Sequence, residues 1–281
     1  MTTPYPKIIA HRGGPDNWPA NTICAFRKDL EAGVDAIELD VQITKDGIVV
    51  VYHPDDLAEQ TTTSGRVADK TTVELTALDV STKYKGPLEY QKACTSDELR
   101  IPKLTDVLKR FPKANFIVDL KSLPAEPLIK AIARDVPKTD LKRLTFYSTN
   151  SEHMTALAKY IPQASRFENR ATTFDRLITY ASDRTCTLPS KASHVGFELF
   201  RELEICEKFK LGGNCRKTSF EMWSHGSMSC TKNMVGSAKI VFFGIDTPDA
   251  YKKAWQLGAY GVYSNNPKAL IEFRKNSQAD K

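Results

Sequence analysis

The sequence lacks any long apolar run. Nowhere do 18 consecutive apolar residues occur, so no transmembrane helix is expected. Its first ten residues, MTTPYPKIIA, contain no basic segment followed by an apolar core, so no signal peptide is expected, and a start that had replaced a cleaved one would read the same way. There is no basic arm: 40 Lys and Arg against 34 Asp and Glu give a net charge of +6, and the cations are scattered. That argues against a nucleic-acid partner and suits an anionic small molecule or an anionic lipid surface. With 14 Gly and 15 Pro the chain is too poor in both for a disordered or collagen-like protein. No Gly-rich phosphate loop of the GxxxxGK or GxGxxG kind follows a strand, which weakens an open nucleotide-binding sheet. No C-x-x-C occurs, which argues against a zinc ribbon or a thioredoxin-type redox site.

What is present is an ordinary globular composition, 41% hydrophobic and 26% charged over 281 residues. That length suits one α/β barrel, and a single domain over 1–281 is expected. Four of the six cysteines (Cys24, Cys94, Cys186, Cys206, Cys215 and Cys230) fall between 186 and 230. They read either as one or two disulfides pinning an excursion near 184–236 in an oxidising compartment, or as scattered buried thiols. Six cysteines tilt the expectation towards an extracytoplasmic site. Connectivity and oligomeric state stay open.

Strands and helices alternate along the chain. Strands are expected over 7–11, 36–41, 48–52, 115–120, 143–148, 164–168, 239–245 and 261–264, with another over 218–223. Helices are expected over 23–32, capped by Asn21 or Thr22, and over 72–78, 102–111, 126–135, 152–160, 175–182, 197–209, 248–257 and 267–275. Repeated alternation implies parallel strands joined by crossover helices, and about eight strands favour a closed (β/α)8 TIM barrel.

In such a barrel the chemistry sits at the C-terminal ends of the strands. Reading those ends in order gives His11 with Arg12, Glu38 with Asp40, His53, then Asp119 with Lys121. Glu38 and Asp40 are two residues apart on a strand and share a face. Two carboxylates facing one cavity repel unless a cation lies between them. Asp119 completes a candidate metal set of three oxygen ligands, which favours Mg2+ or Ca2+ over zinc. A salt-bridged surface pair is the plainer reading of Glu38 and Asp40. Two imidazoles at strand ends suit general acid and base roles. Arg12 offers a fork suited to phosphate and Lys121 a point charge, though either could be a salt-bridge partner of the acids. His153, His194 and His225 receive no role.

IAHRGG at 9–14, PANT at 19–22, AIELDVQITKDGIVVVYH at 36–53, IPKLTDVL at 101–108 and VDLK at 118–121 together resemble the glycerophosphodiester phosphodiesterase family. The resemblance is strong over the first 121 residues and afterwards rests on GAYGVYSNNP at 258–267. It implies a TIM barrel with one divalent cation, His11 and His53 as the acid–base pair, Arg12 and Lys121 on the phosphate, and Glu38, Asp40 and Asp119 on the metal. The implied activity is cleavage of a glycerophosphodiester to glycerol 3-phosphate and an alcohol, through a cyclic phosphate or by direct attack of water. Departures from the family pattern are Asp119 for its usual Glu, Ala20 in place of an acidic residue, and Pro54 after the second His. Its late motifs stand here as Phe243-Gly244-Ile245-Asp246 and Ser264-Asn265-Asn266. Two rival readings follow. One is a phospholipase-type enzyme in peripheral contact with membrane, its surface supplied by Phe197, Phe200, Phe209, Met222, Trp223 and Met228. The other is a barrel that binds phosphodiesters without cleaving them.

Overall fold

In the computed structural model, which describes residues 4–186, 190–209 and 212–279, eight parallel strands close into a barrel. The strands are β1 (Lys7–Ala10), β2 (Ala36–Ile43), β3 (Val49–Val51), β4 (Phe116–Leu120), β5 (Leu144–Tyr147), β6 (Ser165–Arg166), β7 (His194–Glu198), β8 (Phe200–Phe209), β9 (Gly212–Glu221), β10 (Lys239–Phe243) and β11 (Gly261–Ser264). Around the wall the order is β6-β5-β4-β2-β1-β11-β10-β7. A parallel bridge between Phe167 and His194 joins the two ends.

The helices are α1 (Ile23–Ala32), α2 (Thr72–Thr76), α3 (Tyr90–Ala93), α4 (Leu104–Arg110), α5 (Ala125–Asp135), α6 (Lys138–Leu141), α7 (Ser151–Tyr160), α8 (Arg170–Asp183), α9 (His225–Val235), α10 (Pro248–Leu257) and α11 (Pro267–Ala279). None of them, among the described residues, is long and apolar enough to cross a membrane.

The period-two alternation of the strands builds two cores at once. Ile37, Leu39 and Val41 of β2 face the helices and join the outer core. Ala36 points the other way, into a lumen core with Ile9, Ile117, Tyr147, Phe167, Val241, Phe243 and Tyr263. Glu38 and Asp40 follow Ala36 on that inner face. Register places Asp119 beside Asp40 on the neighbouring strand, so all three acids arrive at one end of the lumen.

Three expectations need correction. Residues 48–52 are not a barrel stave: β3 pairs antiparallel with the end of β2, Val51 opposite Val41, after the turn at Asp46-Gly47. Residues 197–209 are not helical: they span the end of β7, Leu199 and the whole of β8. β8 pairs along its full length with β9 as a two-stranded antiparallel hairpin. Glu, Leu and Lys make FELFRELEICEKF look helical, but cross-strand pairing overrides so weak a propensity. Residues 218–223 therefore lie mostly in that hairpin, and the missing barrel strand is β7. Helix α9 was not expected from sequence.

All six cysteines pair: Cys186 with Cys230 and Cys206 with Cys215 inside the excursion, and Cys24 with Cys94 outside it. The expectation of one or two bridges within 184–236 holds, and the third ties α1 to the end of α3. Of the residues that the rival reading places on a lipid-facing surface, and that the plainer reading places in the core, Phe197, Met222, Trp223 and Met228 are buried and Phe200 is 47% exposed. The side chain of Phe209 lies outside the described part.

Asp29 of α1 is buried, 2% exposed, and its Oδ2 has no hydrogen-bond partner. Burial pushes its carboxyl up to about 8. Between roughly pH 4 and pH 8 the folded chain thus holds a proton that the unfolded chain releases, so this group costs stability as pH rises through that window. Asp29→Asn has no such proton to hold. It is expected to raise stability at pH 7 by on the order of 1–3 kcal/mol, with little gain at pH 5. Urea midpoints at the two pH values check this, and an equal effect at both would contradict it.

Candidate active site

Strand β1 runs into a 3-10 turn over His11–Gly13. Arg12, Gly13 and Gly14 all have positive φ, at 53°, 74° and 67°. A Cβ on Gly13 would lie 2.8 Å from Ala25 Cβ and 2.9 Å from Phe26, so the tight HRGG turn against α1 requires glycine there. The turn aims the Arg12 amide at Glu38, donating to Oε2 at 2.9 Å. It also brings the Arg12 guanidinium Nε to 3.3 Å from Asp40 Oδ2.

Asp40 is fully buried and densely supported. Asn21, itself at positive φ, donates Nδ2 to Asp40 Oδ2 at 2.8 Å and accepts the Asp40 amide. Thr22, rather than Asn21, caps α1, accepting from the Ala25 amide. Lys121 Nζ lies 3.2 Å from Asp40 Oδ1 and donates to Asp119 Oδ2 at 2.7 Å. Oxygens of Glu38, Asp40 and Asp119 all fall within 4.8 Å of one another.

Electrostatics separate the three acids. Burial and the adjacent Asp40 charge raise Glu38. Burial also raises Asp119, against the pull of Lys121. Asp40 is equally buried, yet Lys121 and Arg12 outweigh that and hold it below the usual carboxylate range. The donor set fits a hard divalent cation: three carboxylates, no thiolate, and an Asp119 Oδ1 that is buried without a hydrogen-bond partner.

His11 lies on the same mouth, its Nε2 3.9 Å from Glu38 Oε2. Its Nδ1 meets Asn265 Oδ1 at 2.6 Å. Asp246 fixes that amide, accepting the Asn265 backbone N–H at 2.6 Å and Nδ2 at 3.3 Å. A carboxylate only accepts, so Asn265 must turn its oxygen towards His11, and His11 must carry its proton on Nδ1. Sequence reading noted the motifs holding Asp246 and Asn265 but not this relay, which spans 254 residues.

His53 arrives on the chain leaving β3. The Tyr52 amide donates to the Asp40 carbonyl at 3.0 Å, and Gln42 Nε2 donates to the carbonyls of Tyr52, His53 and Pro54. Burial lowers His53 to about 4, against the opposing pull of Asp40. Burial and then Arg12 lower His11 as well. His153 is structural, bonded to Ser148 Oγ and the Ser122 carbonyl.

Beside the carboxylates opens a cavity of about 390 Å³. His11, Arg12, Glu38, Asp119, Lys121, Tyr147, Arg170, Glu198, Phe243 and Tyr263 are among the residues that line it. All the sequence-derived site residues therefore meet at one end of the barrel. His53 approaches from the loop after β3 rather than from the lining of the cavity.

The profile of the glycerophosphoryl diester phosphodiesterase family matches residues 11–167. The Mycobacterium tuberculosis protein Rv2277c is 32% identical over 275 residues, covering 97% of this chain and 91% of that one. The solved glycerophosphoryl diester phosphodiesterase domain of Rv2277c superposes with a TM-score of 0.86 at 30% identity, over 96% of this chain and 100% of that chain. Human lysophospholipase D GDPD1 is 27% identical, covering 97% of this chain and 87% of its own length. An Oleispira antarctica phosphodiesterase, solved with the product sn-glycerol-3-phosphate, shares the fold at 19% identity and a TM-score of 0.70, over 96% of this chain and 97% of that one. The chain thus belongs to the glycerophosphoryl diester phosphodiesterase family and is one of its hydrolases.

Proposed function

We propose that the protein hydrolyses glycerophosphodiesters to glycerol 3-phosphate and an alcohol, with the help of one divalent cation, Mg2+ or Ca2+, and of the pair His11 and His53. The observation that carries this reading is the convergence of Glu38, Asp40 and Asp119 within 4.8 Å at the barrel mouth. These three residues would hold the cation, which when bound polarises phosphoryl oxygens and lowers the pKa of a hydroxyl or water. Arg12 and Lys121 offer fixed positive charge where negative charge grows on the phosphate.

The Asn265 bond leaves His11 Nε2 as the acceptor facing the site, so His11 takes the nucleophile's proton. His53 supplies a proton to the leaving alcohol, and phosphate charge beside it counters the burial that lowers it. The whole chain acts as a single catalytic domain, and its three disulfides support an extracytoplasmic compartment.

The test is direct. Purified protein given glycerophosphocholine should release glycerol 3-phosphate and choline, excess EDTA should stop the release, and added Mg2+ or Ca2+ should restore it. Full activity in EDTA would remove the cation from this account. Release of phosphocholine would show that the wrong ester bond had been assigned.

A further inference from the structure

The opposite end of the barrel, where the strands begin, gathers cations that the chemistry at the mouth does not use. A cavity of about 220 Å³ opens there, and Lys7, Lys142, Lys239, His194 and Tyr260 are among the residues that line it. Lys7 starts β1, His194 starts β7 and Lys239 starts β10. Tyr260 is fixed between two strands: its carbonyl accepts the Lys7 amide at 2.9 Å, and its own amide donates to the Ile240 carbonyl at 2.8 Å. Lys7 Nζ lies 5.4 Å and Lys239 Nζ 5.0 Å from the centroid of the Tyr260 ring. One ring thus holds two ammonium groups that repel each other. His194, 6% exposed, stands against the same ring, with centroids 6.2 Å apart.

The nearby acids are already engaged. Asp35, on the same wall, accepts from the Ile8 amide at 2.9 Å and from Arg274 Nη1 at 2.7 Å. Asp140 pairs with Arg143, whose guanidinium otherwise donates to the carbonyls of Leu108, Phe111 and Ala114. Among the described residues no carboxylate pairs with Lys7, Lys142 or Lys239. We propose that this floor of the barrel is a second anion site, which takes the phosphate group of inorganic phosphate or of a phosphate monoester. The site lies at the other end of the lumen from Glu38, Asp40 and Asp119 and does not depend on the hydrolase reading. An ammonium only donates, so three lysines call for a ligand with several acceptor oxygens. A carboxylate brings one charge to three cations, whereas a phosphate monoester brings about −1.5 to −2 at neutral pH. The space equals that of roughly seven waters, which suits a single phosphate group.

Two histidines report on the two ends of the barrel separately. Burial, then Lys239, lowers His194 to about 4, and an anion on the floor should raise it, whereas His11 senses the mouth. In protein carrying isotope-labelled histidine, NMR titration with sodium phosphate should move the His194 signal saturably, and sodium chloride at matched ionic strength should not. The double variant Lys142→Gln, Lys239→Gln changes two exposed side chains. It should weaken the apparent phosphate affinity read at His194 about tenfold or more, with the His11 response and the turnover of glycerophosphocholine unchanged. A His194 signal that phosphate leaves unmoved, or that chloride moves as far, would overturn the proposal. So would an equal affinity in the double variant. Two further arms identify the source of the phosphate group. A matching His194 response to sn-glycerol 3-phosphate assigns a soluble monoester. Sedimentation of wild type, but not of the double variant, with vesicles of phosphatidic acid in phosphatidylcholine assigns a lipid headgroup. With neither, the ligand is inorganic phosphate itself.

Discussion

His11→Ala is expected to lower kcat for glycerophosphocholine by about 10²–10⁴, and His53→Ala by a similar factor. His11 is held by Asn265 with Nε2 facing Glu38, so its loss removes the proton acceptor while Glu38, Asp40, Asp119 and Lys121 stay in place. Cation binding should therefore survive in both variants, which separates lost proton transfer from a collapsed site. Asp246→Ala touches neither the histidine nor the acids. It frees the Asn265 amide to rotate, and should cost kcat about tenfold with KM little changed. Steady-state kinetics on the three variants decide the matter. Near wild-type kcat in His11→Ala would end the acid–base assignment. An Asp246→Ala defect confined to KM would show that the relay orients substrate rather than the imidazole.

How much of this could be read without coordinates varies along the chain. Strand β2 was fully legible: AIELDV alternates, so Glu38 and Asp40 share the inner face, and the Asp46-Gly47 turn returns the chain to deliver His53. The same turn makes β3 antiparallel, which alternation alone does not reveal. Partners brought together by barrel closure were not legible. Asn265 reaches His11 only because β11 pairs with β1, Ala10 opposite Ser264. Arg170 and Glu198 carry no motif, and their pairing depends on α8 packing beside β7, a strand whose last two residues open the helix-like run. Helix α9, HGSMSCTKNMV, is rich in weak helix formers and begins at a capping box of two serines, Ser224 and Ser227. Cys24 and Cys94 are 70 residues apart, a pairing that spacing cannot select.

Divalent cation binding should release protons and strengthen as pH rises. Among the described residues, the three buried carboxylates are paired with two fixed cations, Arg12 and Lys121. Lys121 and Arg12 keep Asp40 ionised, whereas burial raises Glu38 and Asp119. Those raised groups hold a proton near neutral pH that an arriving cation must expel. Calorimetric titration of Mg2+ or Ca2+ in two buffers of different ionisation enthalpy should show release of about one proton near pH 7. Affinity should fall as pH drops below neutrality. Asp119→Asn removes one ligand charge yet keeps the side chain's shape, and should weaken the cation by at least about 10²-fold. Its thermal unfolding should change little, because the substitution also relieves a raised, buried acid. Identical heats in both buffers would show that the acids are already ionised, and unchanged affinity in Asp119→Asn would place the ion elsewhere. The two readouts separate the charge state of the cluster from its role as a ligand set.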